Sequence, residues 1–152
     1  MLKLAKLTDY AIVVLTRLSL LADGTSISAS SLAVDTGIPE PTVAKVLKTL
    51  ARADLVVSQR GVHGGYTLAR AGQEMTLLEV ITAIEGPIAL TSCVTGQRGD
   101  CIAEQSCPSK GRWDVVNEAV REALARVTLA DMVRSDYECV STKKYKFMEM
   151  QS

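Results

Sequence analysis

The feature that most constrains this chain is a change in hydrophobic period near residue 54. Before that point, apolar residues recur at three- and four-residue spacing, which is the period of amphipathic helices. Residues 55–58 (LVVS) and 66–68 (YTL) are instead typical of two short strands. The glycine-rich segment 60–65 between them indicates a tight hairpin turn. The sequence therefore predicts helices first and a small β-hairpin directly after them.

The helices before the hairpin are short and carry their own boundary signals. A first helix is predicted over about residues 8–21, with one apolar face. Ser28 is a suitable cap for a second helix, which Gly37 ends. Pro41 suits the first turn of a third helix, predicted to about residue 53. Two short helices joined by a glycine-containing turn match a helix-turn-helix, and a hairpin behind it is a wing.

The second half of the chain predicts helices on either side of a long loop. Thr76 and Glu79 form a capping box that opens a short helix, and a long helix is predicted from about Trp113 to Val127. The apolar stripe on the long helix is wider than a small domain can cover, which favours pairing with a second copy. Thr128 is expected to cap a last short helix.

The predicted fold class is mainly α with a small β-hairpin: a winged helix-turn-helix plus a long dimerisation helix. The expected divisions are a winged helix-turn-helix DNA-binding domain at 1–85 and a cysteine-bearing cluster loop at 86–111. Dimerisation helices at 112–135 and a flexible tail at 136–152 follow.

Composition removes several classes of protein. No run of about 18 apolar residues exists, so we expect no membrane span. The apolar start is interrupted by charges and is followed by no cleavage motif, which predicts a cytoplasmic protein. The chain has one histidine and no acid–base pair beside a nucleophile, so we expect no enzyme activity.

Positive charge is concentrated where a helix-turn-helix would meet DNA. The chain has zero net charge, yet residues 41–70 carry five basic residues and one acidic residue. Thr42 and Lys45 are predicted to contact bases, and residues further along the third helix to contact phosphates. Such a face alone could be merely solvated, but the wing behind it favours DNA binding. The candidate DNA-contacting residues are Thr42, Lys45, Lys48, Thr49, Arg52, Arg60 and His63.

Three of the four cysteines lie in one glycine-rich segment. Cys93, Cys101 and Cys107 have the spacing C-x7-C-x5-C, whereas Cys139 stands apart. Clustered thiolates in an intracellular protein favour a soft metal, either zinc or an iron–sulfur cluster. The spacing is unlike paired zinc-ribbon motifs, which makes zinc the weaker interpretation. The remaining alternative is that the three thiols are incidental.

Several phrases of the sequence resemble one family. LTDYA at 7–11, KTL at 48–50, RGVHGGYTL at 60–68 and TLLEVI at 76–81 resemble the Rrf family of winged-helix regulators, as do the cysteine loop and Trp113. That family includes the Isc, Suf, nitric-oxide-sensing and iron-responsive regulators, and the likeness covers about residues 1–135. Within it, the chain most resembles regulators of the Suf cluster-assembly system.

The resemblance implies a homodimer, a palindromic double-stranded DNA operator and an iron–sulfur cluster, either 2Fe-2S or 4Fe-4S. By position, the implied ligands are Cys93, Cys101 and Cys107. The first gap is longer than is common in the family, and Lys110 stands where Isc-type regulators have a ligating histidine. A carboxylate from the partner's first helix completes the site in some members, and Asp9 is the matching residue here. Alternatively, the negative charge of Asp9 only stabilises the N-terminus of its own helix.

The predicted function is sequence-specific transcriptional regulation, as a repressor that senses iron–sulfur or redox status. The alternative is a cluster-free regulator that uses the cysteines as a thiol switch or as a zinc site.

Overall fold

The computed structural model describes residues 3–22, 24–62, 64–91, 94, 106–109 and 111–133. Within these ranges the chain forms six α-helices, a two-stranded antiparallel sheet and a short 3-10 helix at Gly72–Glu74. The helices are α1 (Lys6–Ser19), α2 (Ala29–Thr36), α3 (Glu40–Arg52), α4 (Leu77–Glu85), α5 (Trp113–Ala125) and α6 (Leu129–Val133). The strands are β1 (Val56–Gln59) and β2 (Gly65–Leu68).

The turn between α2 and α3 forms as its local residues predict. The side chain of Ser28 accepts a hydrogen bond from the backbone N–H of Ser31 and so caps α2. Gly37 ends α2 in the left-handed conformation, with φ of 69°, which glycine adopts without steric cost. Pro41 lies in the first turn of α3, where a missing N–H costs nothing.

The wing is a hairpin of β1 and β2, with Val56 opposite Leu68 and Gln59 opposite Gly65. The segment between α1 and α2 adds a further bridge that the hydrophobic pattern did not predict. Ile27 and Tyr66 exchange backbone hydrogen bonds of 3.2 and 2.8 Å. This bridge fixes the hairpin against the start of the helix-turn-helix.

The last helix returns to the start of α4. The backbone N–H of Leu77 donates to Val127, and that of Leu129 donates to Met75, at 2.9 and 2.8 Å. Thr76 and Glu79 form the predicted capping box on α4. Thr128 caps α6, as expected, because its hydroxyl accepts a hydrogen bond from the backbone N–H of Asp131.

One core joins α1, α2, α3, the hairpin, α4 and α6. Its members are almost all aliphatic, because the chain has few aromatic residues. The fully enclosed side chains include Leu15, Leu32, Leu47, Leu50, Met75 and Leu129. No helix within the described ranges is both long and apolar enough to cross a bilayer.

Predicted boundaries of α1 and α5 differ from the structure. α5 ends at Ala125, two residues before the predicted end at Val127. α1 begins and ends about two residues earlier than the apolar pattern indicates. Its start is set by Glu85, whose carboxylate accepts a hydrogen bond from the backbone N–H of Ala5 at 2.9 Å. Its end is set near Ser19, whose hydroxyl donates to the carbonyl of Thr16. Both strands lie within one residue of the predicted positions.

Candidate functional site

The exposed side of α3 carries the basic residues expected to meet DNA. Val43, Val46, Leu47 and Leu50 face the core, as predicted. Lys45, Lys48 and Arg52 lie on the opposite, exposed side, spaced by about one helical turn. Their spacing gives a row of cations parallel to the helix axis, which suits the phosphate backbone of a duplex.

The two threonines of this surface are less exposed than the helical wheel predicts. Thr42 and Thr49 are half-buried, because both lie at the edge of the apolar face of α3. The hydroxyl of Thr49 donates to the carbonyl of Lys45 at 3.1 Å. That bond occupies the donor of Thr49 inside its own helix. Of the two predicted base contacts, Lys45 is exposed and Thr42 is half-buried, so Lys45 is the better placed.

Two glycines of the wing are required by close packing. A Cβ atom on Gly65 would lie 2.7 Å from the backbone of Ile27, and one on Gly64 would lie 2.6 Å from the carbonyl oxygen of Gln59. Arg60 is exposed and directly follows β1. His63 lies outside the described residues.

Arg70 was counted with the basic segment, but the structure pairs it elsewhere. Its guanidinium contacts the carboxylate of Glu79 and donates to the carbonyl of Glu74 at 3.1 Å. Partial burial favours the neutral form of Glu79, but hydrogen bonds from Thr76 and the charge of Arg70 outweigh it and lower the pKa of that carboxyl. Arg70 is therefore paired with the first turn of α4, away from the row of cations on α3.

The segment that follows α4 is anchored to α5 by one amide side chain. The backbone N–H of Leu90 donates to Oδ1 of Asn117, and Nδ2 of Asn117 donates to the carbonyl of Ile88, both at 3.1 Å. Asn117 is 5% exposed and is the one buried residue of α5, all of whose residues the structure describes. The beginning of the cysteine loop is therefore fixed to this helix.

The other described part of the loop also joins α5. Cys107 is half-buried and takes part in no disulfide within the described ranges. A turn then leads directly into α5, because the backbone N–H of Arg112 donates to the carbonyl of Ser109 at 3.0 Å. Cys93 and Cys101 lie outside the described residues, as does Lys110, so their predicted roles stay predictions.

Asp9 lies in the first turn of α1 with an exposed side chain. Next to it, Thr8 is fully buried and donates its hydroxyl to the carboxylate of Glu85, the last residue of α4. The turn that carries Asp9 is thus attached to the residue immediately before the loop. Within the ranges that can be described, no group of three or more metal-ligating side chains is assembled in a single chain.

α5 presents much of its predicted apolar stripe to solvent. Val120, Leu124 and Val127 are half-buried against the same chain. Val115 is 76% exposed and Val116 is 46% exposed, and the small side chains of two alanines continue this surface. Val115, Val116, Ala119 and Ala123 therefore form an exposed apolar strip on α5.

Comparison with known proteins shows extensive similarity. Residues 4–135 match the Rrf2 family model, described as an iron-dependent transcriptional regulator. The chain is 33% identical over 127 residues to Rv1287 of Mycobacterium tuberculosis (strain H37Rv), which carries the name of an HTH-type transcriptional regulator; 82% of this chain and 76% of that protein are covered. It is 28% identical to the HTH-type transcriptional regulator NsrR of Oceanobacillus iheyensis, covering 91% and 94% of the two chains.

Solved structures share the fold. CymR, the global cysteine regulator of B. subtilis, superposes with a TM-score of 0.66 at 25% identity, covering 88% of this chain and 97% of CymR. IscR of T. potens superposes with a TM-score of 0.65 at 27% identity, covering 95% and 96%. These neighbours and the order of elements confirm a mainly helical fold with a winged helix-turn-helix. The predicted family resemblance is confirmed, and this chain belongs to the Rrf2 family of transcriptional regulators.

Proposed function

We propose that this chain is a homodimeric repressor that binds a palindromic operator and responds to iron–sulfur or redox status through the loop 86–111. The observation that carries the proposal is the attachment of this loop to α5. Asn117 holds the loop's beginning, and the turn at Ser109 joins its end to the same helix. A change at the cysteines would therefore act directly on the helix with the exposed apolar side.

The chemistry of the loop's donor set fits an iron–sulfur cluster of the 2Fe-2S or 4Fe-4S type. Such clusters are held chiefly by cysteine thiolates, and Cys107 offers a half-buried thiol without a disulfide partner among the described residues. Cys93 and Cys101 are the other two proposed ligands. When bound, the cluster would supply a redox-active group that oxidants or iron shortage can alter.

Asp9 of the partner protomer is the proposed fourth ligand. Its side chain is exposed and, in the described part of the chain, has no hydrogen bond or ion pair. The hydrogen bond between Thr8 and Glu85 supports this assignment, because it holds the turn beside Asp9 rigid. A ligand from the partner would make cofactor retention depend on dimer formation.

For DNA, we assign base contact to Lys45, with Thr42 beside it at the start of α3. Lys48 and Arg52, further along the helix, would contact phosphates, and Arg60 would contact the backbone or the minor groove from the wing. Thr49 and His63 complete the proposed surface. A cleft of about 520 Å³ between the start of α2 and the wing adds the neutral hydroxyl of Ser31, which accepts from Ser28 and can donate to a phosphate.

Regulation then follows from the geometry of a dimer. Two α3 helices must lie about one DNA turn apart to enter successive major grooves. If α5 forms the dimer contact, a small displacement of α5 changes that separation. A state of the loop that favours the separation of the α3 helices found on DNA would strengthen operator binding. A state that favours a different separation would weaken it by the free energy needed to change the separation.

The alternative proposal is a cluster-free regulator, and the observation that favours it is the superposition with the cysteine regulator CymR. In that case the loop cysteines Cys93, Cys101 and Cys107 would act as a thiol switch or hold zinc.

The test is anaerobic purification, followed by a visible spectrum and by iron, sulfide and zinc analysis. We expect a coloured wild-type protein that loses its colour in Cys93→Ser, Cys101→Ser and Cys107→Ser. Cys139→Ser is the matched control and should keep the colour. Colourless protein after reconstitution with iron and sulfide would overturn the cluster and favour the thiol switch, or zinc if zinc is found.

A further inference from the structure

α5 has an unusual distribution of polar and apolar residues. Its one buried residue is an asparagine, while Val115 and Val116 are exposed. Asparagine is a weak helix former, because its side chain competes for backbone hydrogen bonds. A leucine or alanine at position 117 would suit the helix better, so the amide must serve a contact outside α5.

That contact has the pattern of strand pairing. Asn117 presents one acceptor to the N–H of Leu90 and one donor to the carbonyl of Ile88. It therefore satisfies both backbone groups that face α5 in this half-buried segment. An apolar side chain at position 117 would leave both groups without partners, and such groups are costly when removed from water.

The position of this contact links two parts of the molecule. Leu90 lies three residues before Cys93, and Asn117 lies on the same helix as Val115 and Val116. The two hydrogen bonds of Asn117 join this segment directly to α5. Asn117 therefore provides a direct path by which a displacement at the beginning of the loop can reach α5.

We propose that Asn117 is a positioning residue that couples the state of the cysteine loop to the helix α5, and through it to operator affinity. Asn117 belongs neither to the proposed DNA-contacting residues nor to the proposed ligands. This inference rests on the proposed function, in which the loop cysteines control operator binding. It assigns the coupling to a residue outside both the cysteine set and the DNA-contacting surface.

The experiment measures the ratio of operator affinities between protein with its loop cysteines loaded and protein stripped by chelator under reducing conditions. The operator is a duplex selected from random sequences by the wild type. Asn117→Leu removes both hydrogen bonds, and Asn117→Asp keeps the acceptor but loses the donor. Glu118→Gln, whose carboxylate is exposed beside Arg121, is the matched control on α5.

We expect the wild type and Glu118→Gln to show an affinity ratio of about 5- to 150-fold, the usual range of coupling between two sites. In Asn117→Leu the ratio should fall to within about twofold of unity, with iron content and visible spectrum unchanged. The affinity ratio of Asn117→Asp should lie between those of the wild type and Asn117→Leu. Hydrogen exchange at the Leu90 amide should accelerate by at least about tenfold in Asn117→Leu, since its acceptor is removed.

The outcomes separate the two claims. A wild-type ratio of one would overturn the proposed function and, with it, any coupling role for Asn117. A large wild-type ratio that Asn117→Leu retains would overturn only the present inference. If Asn117→Leu does not fold, Asn117→Asp decides, and a ratio equal to that of wild type would overturn the inference. A ratio lost together with the iron would assign Asn117 to cofactor retention and likewise overturn coupling.

Discussion

The buried hydroxyl of Thr8 donates a hydrogen bond to Glu85, 77 residues further along the chain. The same carboxylate accepts the backbone N–H of Ala5, so the last residue of α4 caps the first turn of α1. A carboxylate is unfavourable at its own helix C-terminus, but here it meets the positive end of another helix. The contact fixes the first turn of α1, which carries Asp9, to the beginning of the cysteine loop.

Thr8→Val should lower the free energy of unfolding by about 1–2 kcal/mol. The change keeps the shape of a buried side chain but removes a hydrogen bond to a charged group. Ser30→Ala, on the exposed side of α2, is the control and should change stability by less than about 0.5 kcal/mol. Urea denaturation at neutral pH measures both, and equal midpoints for wild type and Thr8→Val would show that the bond contributes nothing.

Gly65→Ala should displace the wing. The added Cβ would lie 2.7 Å from the backbone of Ile27, so the bridge between Ile27 and Tyr66 must open. Forced packing of this kind costs about 1–3 kcal/mol, and operator affinity should fall with it. Gly72→Ala is the matched control, because its Cβ would come no closer than 3.5 Å to a neighbour. Equal losses of affinity in the two variants would refute a specific role for the wing.

Lys48→Ala and Lys45→Ala should change DNA binding in different ways. Loss of a phosphate contact at Lys48 should weaken binding to all duplexes and reduce the salt slope by about one unit. Loss of a base contact at Lys45 should change the order of preference among duplexes, by about 1–3 kcal/mol at the affected base pair. Arg126→Ala, at the far end of α5, controls for lost charge. If Lys45→Ala keeps the order of preference among duplexes, Lys45 does not contact bases.

Val115→Glu should separate the protomers without unfolding them. The side chain is 76% exposed in the single chain, so the carboxylate is tolerated there but would be buried in a dimer. Sedimentation should show a dimer for wild type and a monomer for the variant, with unchanged helical circular dichroism. Val34→Glu, at a valine on α2 that is 84% exposed, is the matched control and should stay dimeric. A monomeric wild type would contradict dimerisation through α5.

Local signals in the sequence predicted the helix-turn-helix closely. Ser28, Gly37 and Pro41 act on the backbone within a few residues of themselves, so their effect can be inferred without the rest of the fold. The same holds for the capping box at Thr76. The strands reach one residue further toward the turn than predicted, because Gln59 pairs with Gly65.

The contacts that join distant segments could not be predicted. Asn117 and Leu90 lie 27 residues apart, and a single polar residue within a helix leaves no periodic trace. Arg70 was counted in the positive charge of residues 41–70, because local charge does not reveal its pairing with Glu79. Thr42 and Thr49 were expected on the open face, but helix packing leaves them half-buried. Of the candidate ligands, Cys107 and Asp9 fall in the described part of the chain.

The most direct test of the account is operator affinity in two states of the same protein. Anaerobically purified wild type is titrated with its selected duplex at fixed salt, before and after the loop cysteines are stripped by chelator under reducing conditions. The account predicts a change in operator affinity of at least about fivefold. Cys107→Ser should abolish this change, although the variant should still bind DNA non-specifically. Equal affinity in the two states would contradict it, because the cysteine loop would then have no influence on DNA binding.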